Sequence, residues 1–201
     1  MKTTLLAGML LATLSTAAAN AATFTLYPNT CNKNEEGCTA IWVKGTIEPN
    51  DGGRFMELLL KDKPKKALVL LDSPGGNLTA ALQIGRYIKA NGFSTFVPSN
   101  SVCVSGCAMV WLAGNPKLVN ETGKIRFHAA YTVEKIGKQA YAKESGAGNA
   151  VVGAYYAELG YSMEAIIFFT KAAPSSATWL TSETAASLGI KVKVISNEKK
   201  S

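Results

Sequence analysis

The chain has 201 residues, 47% of them apolar and 17% charged, with 18 glycines. That balance excludes a disordered chain, a collagen repeat and a polytopic membrane protein, and it suffices for one good core or two small ones. A net charge of +7 raises the question of a nucleic-acid or membrane partner. With no basic run or aromatic–basic interleaving, the expectation is a mildly cationic surface and no nucleic-acid partner.

The first 21 residues read as an export leader: Lys2 supplies the positive end, Leu5 to Leu14 the apolar stretch, and Ala19-Asn20-Ala21 the small-x-small cleavage site. The apolar stretch is shorter than the roughly 20 residues a spanning helix needs. A mature domain over residues 22–201 is therefore expected in the periplasm or secreted, without a membrane span once the leader is cleaved. Loss of Lys2 with the leader would leave a net charge of +6.

Beyond the leader, Phe24 to Tyr27 and Ile41 to Ile47 are strand candidates, the latter β-rich around Trp42 and Val43. Arg54 to Lys61 has helical period in Phe55, Leu58 and Leu59. Ala67 to Leu71 is a short continuous apolar run, as in a parallel-sheet strand covered on both faces. Pro74-Gly75-Gly76 breaks the chain, and Asn77 or Thr79 caps a helix running to about Asn91. Phe93 to Val97 is a further strand. Val102 to Gly106 turns into a helix from Cys107 to Gly114, and Lys124 to His128 is the next strand. The polar, glycine-bearing stretch from Thr132 to Gly148 is expected to be a mobile loop or lid. Ala150 to Ala172 reads as a long amphipathic helix interrupted near Gly160. Thr181 then caps a short helix, Ser182 to Leu188, and Lys191 to Ile195 closes as a strand. Strands alternating with helices predict a single α/β domain with a largely parallel sheet.

The cysteines fall into two local pairs, Cys31 with Cys38 and Cys103 with Cys107. Their number fits an oxidising compartment, but four cysteines allow three pairings; local bridging is the simplest guess, and two buried thiols at positions 103 and 107 are the alternative. Zinc is disfavoured, because His128 is the only histidine and neither pair has Cys-x-x-Cys spacing.

Three segments carry candidate chemistry. In Ser73-Pro74-Gly75-Gly76-Asn77, two glycines between a buried strand and a helix bring free N–H groups close to a ligand. In Cys103-Val104-Ser105-Gly106-Cys107, a serine at a corner before an apolar helix has the Gly106 N–H beside it as an oxyanion donor. His128 ends a strand 23 residues later, room for one helix and one returning strand, and imidazole can take a serine proton near neutrality. Taken singly, these also read as a tight turn, a helix-capping serine and a structural histidine.

In their order and spacing, the three segments resemble the Clp protease proteolytic subunit and the wider Clp/crotonase superfamily. Leu71-Asp72-Ser73-Pro74-Gly75-Gly76 resembles that family's Asn-Ser-Pro-Gly-Gly segment. Ile125-Arg126-Phe127-His128 resembles the strand ending in its catalytic histidine, and Trp179-Leu180-Thr181 with Ala185, Gly189 and Ile190 resembles its closing segment. The resemblance implies a Clp/crotonase-like spiral of β-β-α units and a serine peptidase acting through an acyl-enzyme. Ser105 would be the nucleophile, His128 the general base, and the N–H groups of Gly76 and Gly106 the oxyanion hole, with a peptide or unfolded protein as substrate and no cofactor. Since the family assembles into rings, a homo-oligomer is implied, with Tyr155, Tyr156, Phe168 and Phe169 as its sticky face unless that stripe packs on its own sheet.

Two departures stand out. The family's orienting aspartate would fall near Ala177, and the three aspartates all precede Ser105. A Ser–His dyad is left, oriented by a backbone carbonyl or by a hydroxyl of Ser175, Ser176 or Thr178. Related signal peptide peptidases use a Ser–Lys dyad, for which Lys138 and Lys143 are the candidates. The competing class is a catalytically weak or inactive binding module with the same cleft.

Overall fold

The computed structural model describes residues 21–30 and 38–196. Residues 1–20 of the proposed leader, and Cys31, lie outside the described residues.

The chain opens with strand β1 (Thr23–Tyr27), which pairs antiparallel with β2 (Cys38–Lys44). Helix α1 (Asp51–Asp62) then leads to β3 (Lys66–Asp72), and α2 (Leu78–Ala90) to β4 (Ser94–Val97). The short β5 (Val102–Val104) runs through Ser105 into α3 (Gly106–Leu112), followed by β6 (Lys117–Asn120) and β7 (Lys124–Phe127). A hairpin, β8 (Tyr131–Ile136) and β9 (Gln139–Glu144), precedes α4 (Gly146–Glu158) and α5 (Met163–Thr170). β10 (Thr178–Trp179), α6 (Ser182–Ser187) and β11 (Val192–Ile195) close the chain.

Six strands form the main sheet in the order β1-β2-β3-β4-β6-β11, parallel from β2 onward. A second sheet, β10-β7-β5, joins it at Ser73, whose N–H donates to the Val102 carbonyl while its own carbonyl accepts from the Val104 N–H. Ala67, Val69 and Leu71 of β3 are buried in one core with Ile84 and Ile88 of α2 and Trp111 of α3, whereas Leu68 and Leu70 on the other face are only half-buried, so the strand expected to be covered on both faces is fully covered on one. Successive β-to-α passages that each add a parallel strand make the mixed α/β architecture expected from the alternation.

Four further expectations need correction. The stretch from Thr132 to Gly148 is the β8–β9 hairpin and the start of α4 rather than a structureless lid, because Gly137 (φ +60°) makes the turn and lets Tyr131–Ile136 pair with Gln139–Glu144. Ala150 to Ala172 is two helices: Gly160 (φ +89°) ends one, and the Ser162 side chain caps the next by accepting from the Ala165 N–H at 3.3 Å. β6, with two adjacent apolar residues and no alternation, and the two-residue β10 were not expected. Finally, Tyr155, Tyr156 and Phe169 are buried and Phe168 half-buried, packed on one another and on Phe127, so they belong to the core and offer no sticky face. The caps at Asn77 and Thr181 are as expected, accepting from Ala80 and Thr184 respectively.

Candidate active site

The Ser105 corner owes its shape to its surroundings. Ser105 has φ +56° and ψ −120°, a conformation that costs a non-glycine residue on the order of 1–3 kcal/mol. Three things hold it there. Its N–H donates to the Arg126 carbonyl at 3.0 Å, and the carbonyl of Ser105 accepts from Met109 at 3.1 Å inside α3. A disulfide joins Cys103 to Cys107, with Cα atoms 5.1 Å apart and both residues fully buried, so the bridge spans the corner from β5 to the first turn of α3. Cys38 is disulfide-bonded as well. The local pairing expected for Cys103 and Cys107 therefore holds, and the reading as buried thiols does not.

Against this corner lies the glycine turn. Gly75 and Gly76 have φ of +90° and +144°, and a methyl group on Gly75 would come within 2.8 Å of the Gly106 nitrogen. Ile47 pins the turn from behind: its N–H donates to the Gly75 carbonyl at 2.8 Å and its carbonyl accepts from the Asn77 N–H at 2.7 Å. This parallel bridge uses the groups on either side of Gly76 and points the Gly76 N–H away from Ile47. Gly106 is the first residue of α3, so its N–H has no partner within the helix. Neither amide meets a protein acceptor among the described residues. Two free donors thus face one space beside Ser105.

That space is a cavity of about 440 Å³ lined by Gly76, Ser105, Gly106 and His128. Its remaining walls include Leu78, Met109, Phe127, Val133, Val152 and Tyr156, and among the described residues no Asp, Glu, Lys or Arg side chain lines it. His128 leaves the end of β7 half-buried, with the Tyr131 ring 5.4 Å from its own. Its Nδ1 lies 2.8 Å from the Ala129 carbonyl oxygen. A carbonyl can only accept, so this contact places the proton on Nδ1 and leaves Nε2 as the basic nitrogen. Ser105 and His128 share the cavity without a direct hydrogen bond between them.

The structure therefore brings together Ser105, His128, Gly76 and Gly106 and leaves out the lysines. Lys138 sits in the exposed hairpin turn, and Lys143 pairs with Glu134 at 2.8 Å. That hydrogen bond raises the Lys143 pKa, whereas a general-base lysine needs a lowered one. Among Ser175, Ser176 and Thr178, none reaches the imidazole; Ser176 accepts from Arg126, and Thr178 pairs with Phe127. The acceptor beside the imidazole is the Ala129 carbonyl, the backbone alternative to a hydroxyl; which residue supplies it could not be read in advance, because any residue type has a carbonyl. A hydrogen bond from the Ala129 N–H to the Ala172 carbonyl, 2.8 Å, fixes that peptide.

Among solved structures, the 1510-N membrane-bound stomatin-specific protease, with a serine replaced by alanine, superposes with a TM-score of 0.59 at 17% identity, over 78% of this chain and 77% of that one. The chain has the Clp protease-like fold. A second structure of the stomatin-specific protease, with a lysine replaced by alanine and a substrate peptide bound, gives a TM-score of 0.56 at 20% identity over 78% of this chain and 73% of that one. ClpP1 from Listeria monocytogenes, in an asparagine-to-aspartate variant, gives 0.56 at 18% identity over 79% of this chain and 91% of that one. No protein-family model matches the sequence, and no curated protein does.

Proposed function

We propose that the chain is a serine peptidase. Ser105 Oγ attacks a peptide carbonyl while His128 Nε2 takes its proton, and the Gly76 and Gly106 amides hold the oxyanion. The imidazolium then protonates the leaving amine, and water releases the acyl group by the same route. The observation that carries this reading is the pair of unused glycine amides converging beside a serine held at positive φ. Each such donor typically contributes about 2.7–4 kcal/mol to the transition state. A cavity with no Asp, Glu, Lys or Arg side chain among its described walls suits an uncharged segment of a peptide or unfolded protein. The Ala129 carbonyl fills the orienting role of the missing acid but carries only a partial charge, so turnover is expected to be slow: loss of an orienting carboxylate elsewhere lowers kcat by about 10⁴.

The buried Cys103–Cys107 bridge and the leader-like first 21 residues support action outside the reducing cytoplasm. A homo-oligomer is part of the same reading; on α4 and α5 the exposed apolar residues available for it are Val151, Met163 and Ile167, and light scattering reads the outcome.

The test is labelling of the mature protein with a fluorophosphonate. Labelling that is abolished by Ser105→Ala and strongly slowed by His128→Ala supports the proposal, provided Lys138→Ala and Lys143→Ala label normally. Dependence on either lysine makes it a Ser–Lys enzyme. No labelling of folded protein leaves the cleft as a peptide-binding module and overturns the proposal.

A further inference from the structure

The charge excess is not spread evenly. All parallel strands of the main sheet start at one end, and lysines begin or flank three of them there, β3, β6 and β11. Lys61, Lys63, Lys65 and Lys66 fill the passage from α1 into β3, so a basic run exists after all, broken only by Asp62 and Pro64. Lys89 lies in the last turn of α2, just before β4. Lys117 begins β6, and Lys191 and Lys193 flank the first residue of β11, which is in register with Lys117. From β2 to β11 this edge is roughly 20 Å wide at a strand spacing of about 4.8 Å.

At one side of this end the lysines line an open cleft of about 850 Å³, bounded by Lys117, Tyr161, Gly189, Lys191 and Lys193, with no carboxylate in its wall among the described residues. The Lys117 ammonium donates to the Gly114 carbonyl at 3.0 Å and lies 5.8 Å from the Tyr161 ring centroid, which fixes it toward the cleft rim. Burial and the nearby Lys89 both lower its pKa, as for a cation with no anion beside it. None of these eight lysines is in an ion pair with a described residue, and Glu158, just before the cleft, is taken by Arg86. Leu60, 62% exposed, stands beside Lys61 at the same end.

We propose that this end of the sheet docks the protein on an anionic membrane surface. Phosphate headgroups meet the lysines, and Leu60 inserts at the headgroup boundary. Breadth, eight lysines without an ion pair to a described residue, and an exposed leucine among lysines fit a lipid surface better than a nucleic acid, which would want exposed aromatics interleaved with the charge. The Ser105 cleft opens at the opposite, carboxyl ends of β3 and β5, so docking leaves it free, and the proposal does not depend on peptidase activity.

The experiment is co-sedimentation of the mature Ser105→Ala chain with phosphatidylcholine vesicles, with and without phosphatidylglycerol. Binding is expected only to the anionic vesicles and should weaken with salt. The double variants Lys63→Glu/Lys65→Glu and Lys191→Glu/Lys193→Glu should each lose roughly thirtyfold in partition, at about fivefold per lysine, with circular dichroism unchanged. In the chain with Ser105 intact, these variants should also leave fluorophosphonate labelling unchanged. Equal binding to both vesicle types, no binding to either, or full binding by both folded double variants overturns the proposal. So does retention on polyglutamate or DNA without vesicle binding, which would make an acidic protein or a nucleic acid the occupant.

Discussion

The glycine turn offers a quantitative test of how tightly the site is built. A methyl group on Gly76 would sit 2.1 Å from the Ile47 carbonyl oxygen and 2.8 Å from the Ile47 nitrogen, both backbone atoms that cannot rotate aside. Its φ of +144° adds a strain on the order of 1–3 kcal/mol for any residue with a Cβ. Relieving the clash requires separating the turn from Ile47 and giving up the Gly75 and Asn77 hydrogen bonds, at about 1 kcal/mol each. Gly76→Ala should therefore cost about 3–5 kcal/mol, a large part of the roughly 5–15 kcal/mol typical of a domain. The same displacement moves the Gly76 N–H away from the proposed oxyanion position, so fluorophosphonate labelling of the surviving folded protein should fall by about 10²–10³. Urea unfolding gives the first quantity and labelling kinetics below the transition give the second. Gly53→Ala is the control: it is exposed in α1 with nothing within 4 Å of the added methyl, and should gain roughly 0.5–1 kcal/mol. If Gly76→Ala unfolds within about 1 kcal/mol of the parent and labels at the parent rate, both the tight packing of the turn and its role as donor are refuted.

Replacing Cys103 and Cys107 together by alanine opens a loop with a sequence separation of 4, worth about 2 kcal/mol of chain entropy, and should also slow labelling as Ser105 relaxes from positive φ; an unchanged urea midpoint would mean the Arg126 and Met109 hydrogen bonds hold the corner alone. Burial pushes the phenols of Tyr155, Tyr156 and Tyr161 well above their usual range. Their contribution is thus intact below the unfolded-state pKa of about 10 and is lost as pH rises beyond it, by up to about 1.4 kcal/mol per pH unit for each tyrosine. Urea midpoints that stay level from about pH 9 to about pH 11 would contradict this.

Much of the scaffold was legible because its signals are local. The run Ala67 to Leu71 reads as a strand of the sheet interior, Asn77 and Thr181 cap helices through their own side chains, and a Gly-Gly step after a buried strand serves either a tight turn or a close backbone approach. Ser105 and His128 could be paired from the length of chain between them, although that passage holds α3 and two strands, β6 and β7, where one strand was expected, and the parallel pairing of β7 with β5 is what returns the backbone. β10 has only two residues and β6 only two adjacent apolar ones, so neither showed an alternation, and the hairpin of β8 and β9 was hidden because both strands are exposed and polar enough to read as loop.

By itself the amino-acid order determined the α/β alternation, the glycine turn and the serine and histidine of the cleft, because backbone propensity and apolar period act over a few neighbours. Only the tertiary structure decided that Ser105 is held at positive φ under a disulfide, that a carbonyl at Ala129 faces the imidazole, and that lysines from four separate segments gather at one end of the sheet. Each of those depends on atoms brought together by strand pairing and packing across large sequence separations, where no local pattern records which groups will meet.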